Sequence, residues 1–459
     1  MKFIISLFSL FLTNLLFANI NLPAIFTDNM VLQRNAEIVI WGNANPKEEI
    51  TLKGDFLDKE YKFVTGNDAV FKFIIPTGKE GGPYTFTLKG YNEVKLKNVM
   101  LGEVWLISGQ SNMEYTPAWG MKDADAEIAK ANFPDIRFFT VPKLSSSYPQ
   151  NNLFGSWVSC NPDTMKNFSA IGYFFAQKIQ ENLNGVPVGI ISSAWGGSPA
   201  ELWTPENVFR QNPQLAENYK KLGSSEYYPS QMSGAYNAMI FPLNPYKIKG
   251  ALWYQGETNT GNAEGYTDLL SSMIQSWRQA KGEEFPFYII QIAKYTGWGD
   301  TTVKIQNSQR TVSETVKNSD LVITSDLDRT DDIHPKNKKP VGIRMANLIL
   351  KNVYGKNNGL VESPKLKNVE YKGNKAILSF DFADGLHFKN KESKLFEIAG
   401  TEGQFVPATA VIKGNQIILE SKEVKNPVNV RYDWSNTAVP DLFNKSELPA
   451  SSFSTEKIK

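Results

Sequence analysis

Cysteine is nearly absent from the sequence, whose 459 residues contain one, Cys160. A single cysteine forms no intrachain disulfide, so the burial of apolar side chains has to stabilise the fold. Its position far from the N-terminus also excludes a lipid-modified cysteine at the end of a leader segment. We expect Cys160, in SWVSCNP, to be a small packed residue and not a reactive thiol.

An excess of charge of one sign is also missing. Lysine and arginine number 49, aspartate and glutamate 47, and the formal net charge is +2. No global field therefore favours nucleic acid or an anionic membrane as a partner. Low-complexity tracts, internal repeats and heptad patterns are absent as well, which leaves an ordinary folded protein of two or three domains.

Long apolar runs are confined to the N-terminus. Lys2 gives a positive start, residues 3–17 are mostly apolar, and Ala18 is a plausible cleavage position. These features predict a cleaved signal peptide over residues 1–18, which makes the protein secreted or periplasmic. No other run approaches the roughly 18 apolar residues of a membrane span, so no spanning segment is expected after cleavage.

Short alternating runs occupy two regions of the chain. Residues 19–98 contain runs such as AEIVIWG and VFKFIIP between Gly, Pro, Asn and Lys turns, and similar runs return over residues 360–459. Such alternation with frequent turns is typical of antiparallel sheets. We expect an N-terminal β domain and a C-terminal domain resembling a β-sandwich, and the pattern leaves open whether the two pair.

The pattern between these regions is different. Residues 99–355 alternate continuous apolar runs, such as VWLISG at 104–109, with longer amphipathic segments, such as the one at 266–282. Strands that are apolar on both faces are typical of a parallel sheet covered by helices. The region is therefore predicted to be a doubly wound, three-layer α/β domain. A polar stretch at 204–232 is predicted to be an insertion near the rim of the sheet.

Polar clusters follow four of the apolar runs. Because ligands bind beyond the carboxyl ends of the strands in an open parallel sheet, these clusters are expected to meet in one crevice. Together they supply a hydroxyl, an imidazole, carboxylates and glycines. The clusters are GQSNM at 109–113, WGGS at 195–198, QGE at 255–257 and DLDRTDDIHP at 326–335.

Ser111 is the candidate nucleophile, because it follows a strand end with a glycine two residues before it. Its surroundings are not G-x-S-x-G, which disfavours the nucleophile elbow of α/β-hydrolases, and a helix-capping serine is the alternative. A serine nucleophile needs a base with a pKa near neutrality, and the chain has two histidines. We assign the base to His334 and expect His387, in the C-terminal β region, to be a turn or surface residue.

Asp331 and Asp332 both lie close enough in sequence to orient the imidazole of His334 and to stabilise its protonated form. One of the two is expected to cap the helix that begins near Pro335. The spacing does not decide which carboxylate has which role.

The tetrahedral intermediate of acyl transfer needs hydrogen-bond donors aimed at its oxyanion. Candidates are the backbone N–H of Ser111, a backbone N–H of Gly196 or Gly197, and the side-chain amide of Gln255. Paired glycines also occur where a turn simply needs a positive φ angle, so these two have a structural alternative.

Four blocks, GQSNM, SAWGGSPAELW, WYQGETN and DIHPKNKKPVGIRMA, resemble in order and spacing the sialate O-acetylesterase family within the SGNH (GDSL-like) hydrolases. The opening LPAIFTDNMVLQRNAEIVIWG and the closing FVPATAVIKGNQIILES to VRYDW resemble its flanking regions, so the likeness covers about residues 22–453. It implies a flavodoxin-like catalytic domain with β flanks, no metal or other cofactor, and an O-acetylated sugar or glycan as substrate.

Carried over block by block, the resemblance implies Ser111 as nucleophile and His334 as base. The Asp-x-x-His pattern of the wider superfamily points to Asp331 as the orienting acid. The DIHP form found in these esterases points equally to Asp332.

The third block departs from the Gly-x-Asn-Asp of the superfamily. Gln255 stands at the strand end and Asn259 further along, so Gln255 is favoured as the oxyanion donor and Asn259 is the alternative. The candidates for substrate binding lie in or beside the blocks, and Trp253 and Tyr254 are further candidates for stacking on a sugar ring. These candidates are Gln110, Asn112, Trp195, Trp203 and Glu257.

The resemblance implies two-step ester hydrolysis, in which the serine is acetylated, the sugar hydroxyl leaves and water then releases acetate. The expected protein is a secreted carbohydrate O-acetylesterase that acts on sialate, at the 9-O-acetyl group in particular. One alternative is the deacetylation of acetyl-xylan or another polysaccharide at the same site. The other is a non-catalytic carbohydrate-binding protein whose β domains bind the sugar.

Overall fold

The computed structural model describes residues 19–327 and 329–456, so the predicted signal peptide lies outside the described residues. The N-terminal region consists of short strands joined by turns. Its strands are β1 (Val31–Gln33), β2 (Glu37–Asn43), β3 (Glu49–Gly54), β4 (Tyr61–Val64), β5 (Val70–Pro76), β6 (Gly81–Lys89) and β7 (Glu93–Gly109). Every second residue of β5 is buried, which is the alternation that indicated a sheet. Strands β3, β4, β6 and β7 form antiparallel pairs, and β2 pairs with β5.

Strand β7 joins two parts of the molecule. Its first half pairs antiparallel with β6, and its second half lies inside a parallel sheet. The boundary expected at residue 98 therefore falls within one continuous strand. Buried apolar side chains of the N-terminal region and of the α/β region also belong to one cluster, so the two regions share a core.

The central region alternates strands and helices. Its strands are β8 (Phe133–Thr140), β9 (Trp157–Cys160), β10 (Val188–Ala194), β11 (Gly250–Tyr254), β12 (Phe287–Ile290) and β13 (Ser319–Val322). Its helices are α1 (Ser111–Glu114), α2 (Ala124–Lys130), α3 (Pro162–Lys166), α4 (Ala170–Asn182), α5 (Glu206–Gln211), α6 (Pro213–Tyr219), α7 (Tyr266–Lys281), α8 (Thr302–Thr315) and α9 (Lys338–Asn352). Among the described residues, no helix combines the length and the apolar character that crossing a membrane requires.

The sheet of this region has the order β13-β12-β11-β7-β10-β8-β9, and only β8 and β9 pair antiparallel. Numbered along the chain without β8 and β9, the strands follow the order 2-1-3-4-5 of flavodoxin-like sheets. The predicted α/β fold class with β flanks is confirmed. Strands β8 and β9, which extend one edge, were not predicted.

The chain reverses its direction along the sheet at β7. It passes from β7 to β10 on one side, then to β11 on the other side, and continues outward to β12 and β13. Right-handed connections that run in opposite directions place their helices on opposite faces, and α4 packs with α9 whereas α7 packs with α8. The reversal leaves a crevice at the carboxyl end of β7, which is where such sheets bind ligands.

Helices α3 and α4 are separate although they follow each other closely in sequence. The hydroxyl of Ser169 accepts the backbone N–H of Gly172 and starts α4 as a new helix.

The C-terminal region has strands only. They are β14 (Lys365–Lys372), β15 (Lys375–Asp381), β16 (His387–Phe388), β17 (Phe396–Ala399), β18 (Phe405–Pro407), β19 (Thr409–Lys413), β20 (Gln416–Glu420), β21 (Asn429–Tyr432), β22 (Leu442–Phe443) and β23 (Phe453–Ser454). Two four-stranded sheets, β14-β15-β20-β19 and β18-β17-β21-β23, contribute to a second apolar cluster between them, as in a sandwich. In the part of the chain that the structure describes, none of these strands pairs with an N-terminal strand.

A buried ion pair attaches the C-terminal region to the α/β region. Lys294 Nζ lies 2.5 Å from Asp433 Oδ1, and the two side chains are 0% and 1% exposed. Beside them, Gln291 Nε2 donates to Ser451 Oγ at 2.8 Å. A buried charge without its partner is costly. The ion pair therefore favours the one arrangement of the two regions in which the Lys294 and Asp433 charges meet.

Cys160 ends β9 and is buried. Burial raises the pKa of its thiol to about 12, so the thiol stays protonated at neutral pH. This agrees with the expectation of a packed, unreactive cysteine.

Candidate active site

Ser111 and His334 meet in the crevice at the end of β7. His334 Nε2 lies 2.8 Å from Ser111 Oγ, across 223 residues of sequence. Ser111 is the first residue of the short helix α1, and both side chains are partly exposed. The contact has the geometry that a general base needs to take the proton of a serine hydroxyl. The other histidine, His387, instead contacts Gly385 and Glu447 within the C-terminal region.

Strand β7 ends at Gly109, and the backbone at this position requires a glycine. Its φ angle is +136°, and a Cβ atom there would lie 2.1 Å from the carbonyl oxygen of Tyr254, its partner in β11. Only glycine allows both the backbone angle and this close approach. The chain therefore turns out of the sheet directly before Ser111.

Gln110 holds the neighbouring loop and is buried. Its backbone N–H donates to the Tyr254 carbonyl at 3.0 Å, and its Oε1 accepts the N–H groups of Gly256 and Thr258, both at 3.4 Å. This side chain was a candidate for substrate binding. The oxygen of its side-chain amide is thus engaged by the protein, and its role in substrate binding stays a prediction.

Asn112 is the centre of a buried polar network behind Ser111. Its Nδ2 donates to Glu257 Oε1 at 2.6 Å and to the carbonyl oxygen of Ile333 at 3.0 Å, and its Oδ1 accepts Lys338 Nζ at 2.5 Å. Asn112, Glu257 and Lys338 are all buried, so the first two do not offer the substrate contacts expected of them. Because Ile333 precedes His334, the network ties the histidine loop to the serine.

The network also sets the charge around the base. Burial lowers the pKa of His334 below its ordinary value, the ammonium of Lys338 lowers it further, and the carboxylate of Asp332 acts in the opposite direction. Burial raises the pKa of Glu257, against the hydrogen bond from Asn112 and the charge of Lys338. The imidazole is thereby favoured in its neutral, proton-accepting form.

The two candidate carboxylates have different surroundings. Asp332 Oδ1 accepts the backbone N–H of His334 at 2.8 Å. Asp331 is exposed and forms an ion pair with Arg329, which holds the pKa of Asp331 below its usual range. The ring Nδ1 of His334 makes no hydrogen bond within residues 19–327 and 329–456. Asp332 is thus the carboxylate in contact with the histidine loop.

Gly196 lies against Ser111, but its N–H is already engaged. It donates to Glu114 Oε2 at 2.9 Å, and Glu114 forms a 2.7 Å ion pair with Lys143. A Cβ atom on Gly196 would lie 3.4 Å from Ser111 Cβ, so the segments that contain these two residues are in close contact. The next residue, Gly197, has a φ angle of +77°. Among the described residues, the N–H groups of Ser111 and Gly197 have no protein acceptor.

Gln255 and Asn259, the predicted side-chain donors to the oxyanion, are both buried and engaged elsewhere. Gln255 Nε2 donates to the carbonyl oxygen of Ser198 at 3.2 Å and to Asn259 Oδ1 at 2.7 Å. Asn259 Nδ2 donates to Glu201 Oε2 and to Asn262 Oδ1, both at 2.9 Å. Since neither amide has a free N–H, the structure corrects both expectations.

The aromatic residues predicted as candidates for stacking on a sugar ring differ in their burial. Trp203, Trp253 and Tyr254 are fully buried, and Trp203 and Trp253 contact edge to face, so they belong to the core and not to a sugar platform. Trp195 is half-buried, and its Nε1 donates to the carbonyl oxygen of Tyr227 at 2.8 Å. Trp195 therefore holds the segment 204–232 against the crevice.

Two exposed aromatic residues flank the crevice, and neither was among the predicted site residues. Trp119 is 49% exposed and packs on Tyr115, whose ring centroid lies 6.1 Å from that of His334. Tyr227 is 77% exposed and lies against Gly197. The position of Trp119 eight residues after the serine was an available signal. Tyr227 lies in the predicted rim insertion, where no motif distinguished it.

Within the described residues, no group of three His, Cys, Asp or Glu side chains is arranged to hold a metal ion. The crevice brings together a hydroxyl, an imidazole and backbone N–H donors. This combination serves acyl transfer through a serine.

The fold and the comparisons define the chain as a carboxylic-ester hydrolase. The family model described as carbohydrate esterase, sialic acid-specific acetylesterase, matches residues 101–351, and the chain belongs to this family. The matched region holds β10 to β13 and both Ser111 and His334.

Relatives match over most of their length. The chain is 27% identical to human sialate O-acetylesterase over 416 residues, which cover 81% of this chain and 78% of the human protein. It is 25% identical to the Mus musculus sialate O-acetylesterase over 483 residues, 90% of this chain and 89% of the relative. A crystal structure of a carbohydrate acetylesterase from Xanthomonas citri superimposes with a TM-score of 0.86 at 33% identity, covering 96% of this chain and 100% of that one.

Proposed function

We propose that this chain is a secreted carbohydrate O-acetylesterase that uses Ser111 as nucleophile, His334 as general base and Asp332 as the carboxylate that orients the histidine. The observation that carries the proposal is the 2.8 Å contact between His334 Nε2 and Ser111 Oγ at the carboxyl end of β7. Secretion rests on the leader-like residues 1–18.

In the first step, His334 Nε2 takes the proton of Ser111 while Oγ bonds to the carbonyl carbon of the acetyl ester. The negative oxygen of the tetrahedral intermediate accepts the N–H groups of Ser111 and Gly197, which have no protein acceptor in the described part of the chain. The bond to the sugar oxygen then breaks, and this oxygen takes the proton from His334. An acetyl group remains on Ser111.

In the second step, water gives a proton to His334 and attacks the acetyl carbon. The intermediate collapses, acetate leaves, and Ser111 recovers its proton. Asp332 accepts the N–H of His334 and so fixes the loop in which the imidazole turns toward Ser111. Its negative charge also stabilises the imidazolium that forms in both steps.

The favoured substrate is a 9-O-acetylated sialic acid. The family description and the names of the mammalian relatives support an O-acetylated sialic acid, and the 9 position is part of the proposal. The second candidate is an acetylated neutral polysaccharide such as acetyl-xylan, supported by the carbohydrate acetylesterase of Xanthomonas citri. Trp119 and Tyr227 present exposed rings on two sides of the crevice, and either sugar could stack on them.

Acetate release from 9-O-acetyl-N-acetylneuraminic acid and from acetyl-xylan tests the proposal. The wild type is expected to prefer the sialate, and Ser111→Ala and His334→Ala each to lose at least about 10³-fold in kcat. His387→Ala is the matched control and keeps wild-type rates. Full activity of either site variant refutes the assignment, whereas a preference for acetyl-xylan replaces only the substrate.

A further inference from the structure

A second cleft lies between the N-terminal β region and the α/β region. It encloses about 550 Å³ and is bordered by β2, by the segment 150–152, by the segment 241–245 that leads toward β11, and by the end of α7. A volume of this size falls in the range of small-molecule sites, roughly 300–1,000 Å³. None of its lining residues belongs to the Ser111–His334 site. We propose that this cleft binds a neutral glycan chain.

The chemistry of the lining favours a ligand without charge. Among the described residues, no Asp, Glu, Lys or Arg side chain lines the cleft. Lys72 pairs with Trp41 across β2 and β5 but does not line it. An anionic ligand such as a sialic acid finds no cation here, and a cationic one finds no carboxylate.

Side-chain amides form the polar part of the lining. Asn21 and Asn43 are joined by a two-way backbone bridge, with N···O distances of 2.8 and 2.9 Å, which fixes both at one edge of the cleft. On the opposite edge, Asn152 Oδ1 accepts the N–H groups of Ala24 and Leu153, which fixes the direction of this amide.

Several amide groups remain for a ligand. Within residues 19–327 and 329–456, the side chains of Asn21 and Asn151 have no hydrogen-bond partner, and Asn152 Nδ2 donates to no protein group. Each amide offers a donor and an acceptor, as the hydroxyl groups of a sugar do. The amide groups of the cleft can therefore form hydrogen bonds with the hydroxyl groups along the edge of a sugar ring.

Trp41 supplies the apolar part. In β2 the buried positions are Ile38, Ile40 and Gly42, and Trp41 lies on the other face, where it is only partly buried. One side of its ring packs edge to face on Phe26, with 4.7 Å between the ring centroids. The ring also lines the cleft, together with Phe241. An aromatic ring beside unpaired amides matches a sugar, whose C–H face is apolar and whose edge carries hydroxyls.

The inference does not depend on the esterase mechanism. Its failure leaves the assignment of Ser111 and His334 untouched, because it is tested by binding to a protein that lacks the nucleophile.

Isothermal titration of Ser111→Ala with xylohexaose, cellohexaose and mannohexaose, all without acetyl groups, tests the inference. At least one is expected to bind in the millimolar range or tighter, and 3′-sialyllactose to bind at least fivefold more weakly than that probe. In the Ser111→Ala background, Trp41→Ala is expected to weaken binding at least tenfold, and Trp41→Phe to recover part of it.

Asn151→Ala removes an exposed side chain, so this variant tests the cleft even if Trp41→Ala does not fold. It is expected to weaken binding about threefold or more. Tyr371→Ala, in β14 of the C-terminal region, is the control and is expected to leave the affinity for the unacetylated probe unchanged. Trp119→Ala reports any binding of the probe at the crevice. The inference is overturned if no neutral probe binds, if binding survives both Trp41→Phe and Asn151→Ala undiminished, or if Trp119→Ala alone abolishes it.

Discussion

The ammonium of Lys338 is hydrogen-bonded to the side chain of Asn112, the residue that follows Ser111, with 2.5 Å between Nζ and Oδ1. A positive charge is thus buried directly behind the proposed nucleophile and base. It lies 4.7 Å from the ring centroid of Tyr115, the residue whose ring also faces His334. This charge favours the neutral form of His334, the form that accepts a proton.

Lys338→Met is therefore expected to raise the pKa of His334. Activity requires the neutral imidazole, so the acidic limb of the plot of kcat/KM against pH moves to higher pH. The variant therefore loses a larger fraction of its activity at pH 5.5 than at pH 8. Lys339→Met is the control, because Lys339 is an exposed neighbour paired with Glu127. An acidic limb that stays in place in Lys338→Met, or that moves equally in both variants, contradicts the electrostatic role.

The two aspartates are distinguished by a matched pair of amides. Asp332→Asn keeps an oxygen that can accept the backbone N–H of His334 but removes the negative charge that stabilises the imidazolium, and we expect kcat to fall about 10- to 100-fold. Asp331→Asn breaks an ion pair with Arg329 that is exposed to solvent and therefore weak, so kcat stays within a fewfold of wild type. A larger loss in Asp331→Asn assigns the role to Asp331 instead, and equal losses contradict the assignment to Asp332 alone.

Glu114 is expected to position the Gly196–Gly197 turn beside Ser111. Glu114→Ala removes the acceptor of the Gly196 N–H, and a hydrogen bond to a charged group contributes roughly 1.5–3 kcal/mol. We expect kcat to fall about 10- to 100-fold with little change in KM. Lys143→Met removes only the partly exposed partner of Glu114 and is expected to cost far less. A rise in kcat in Glu114→Ala means instead that the carboxylate blocks Gly196 as an oxyanion donor.

The buried pair Lys294–Asp433 predicts a change in stability and not in catalysis. Lys294→Met or Asp433→Asn alone leaves one polar or charged group buried without its partner, and we expect the free energy of unfolding to fall by about 3–5 kcal/mol. The double variant is expected to lose less than the sum of the two. Urea unfolding measures all three, and additive losses contradict the coupling.

The fold and the central contact were predictable because each depends on local patterns. Apolar runs bounded by glycine marked the strands, and the order of polar clusters after them placed Ser111 and His334 at the same edge of one sheet. Gly109 marked the end of an apolar run in the sequence, whereas the reason for a glycine there, a Cβ position 2.1 Å from the carbonyl oxygen of Tyr254 in β11, is visible only in the structure.

The remaining site contacts depend on partners far along the chain. The direction of the Gln255 and Asn259 amides is set by Glu201, a buried carboxylate more than 50 residues away that belongs to another block of the sequence. Glu114 reaches Gly196 across 82 residues. The burial of Trp203 was equally hidden, because an aromatic residue after a strand end has the same pattern whether it packs inward or faces solvent.

A fluorophosphonate probe followed by peptide mass spectrometry tests the central claim most directly, since the probe bonds only to a serine activated by its base. The account predicts one adduct on the peptide that contains Ser111, loss of hydrolysis in step with labelling, and no adduct in His334→Ala. An adduct on another residue, or unchanged labelling of Ser111 in His334→Ala, would contradict it.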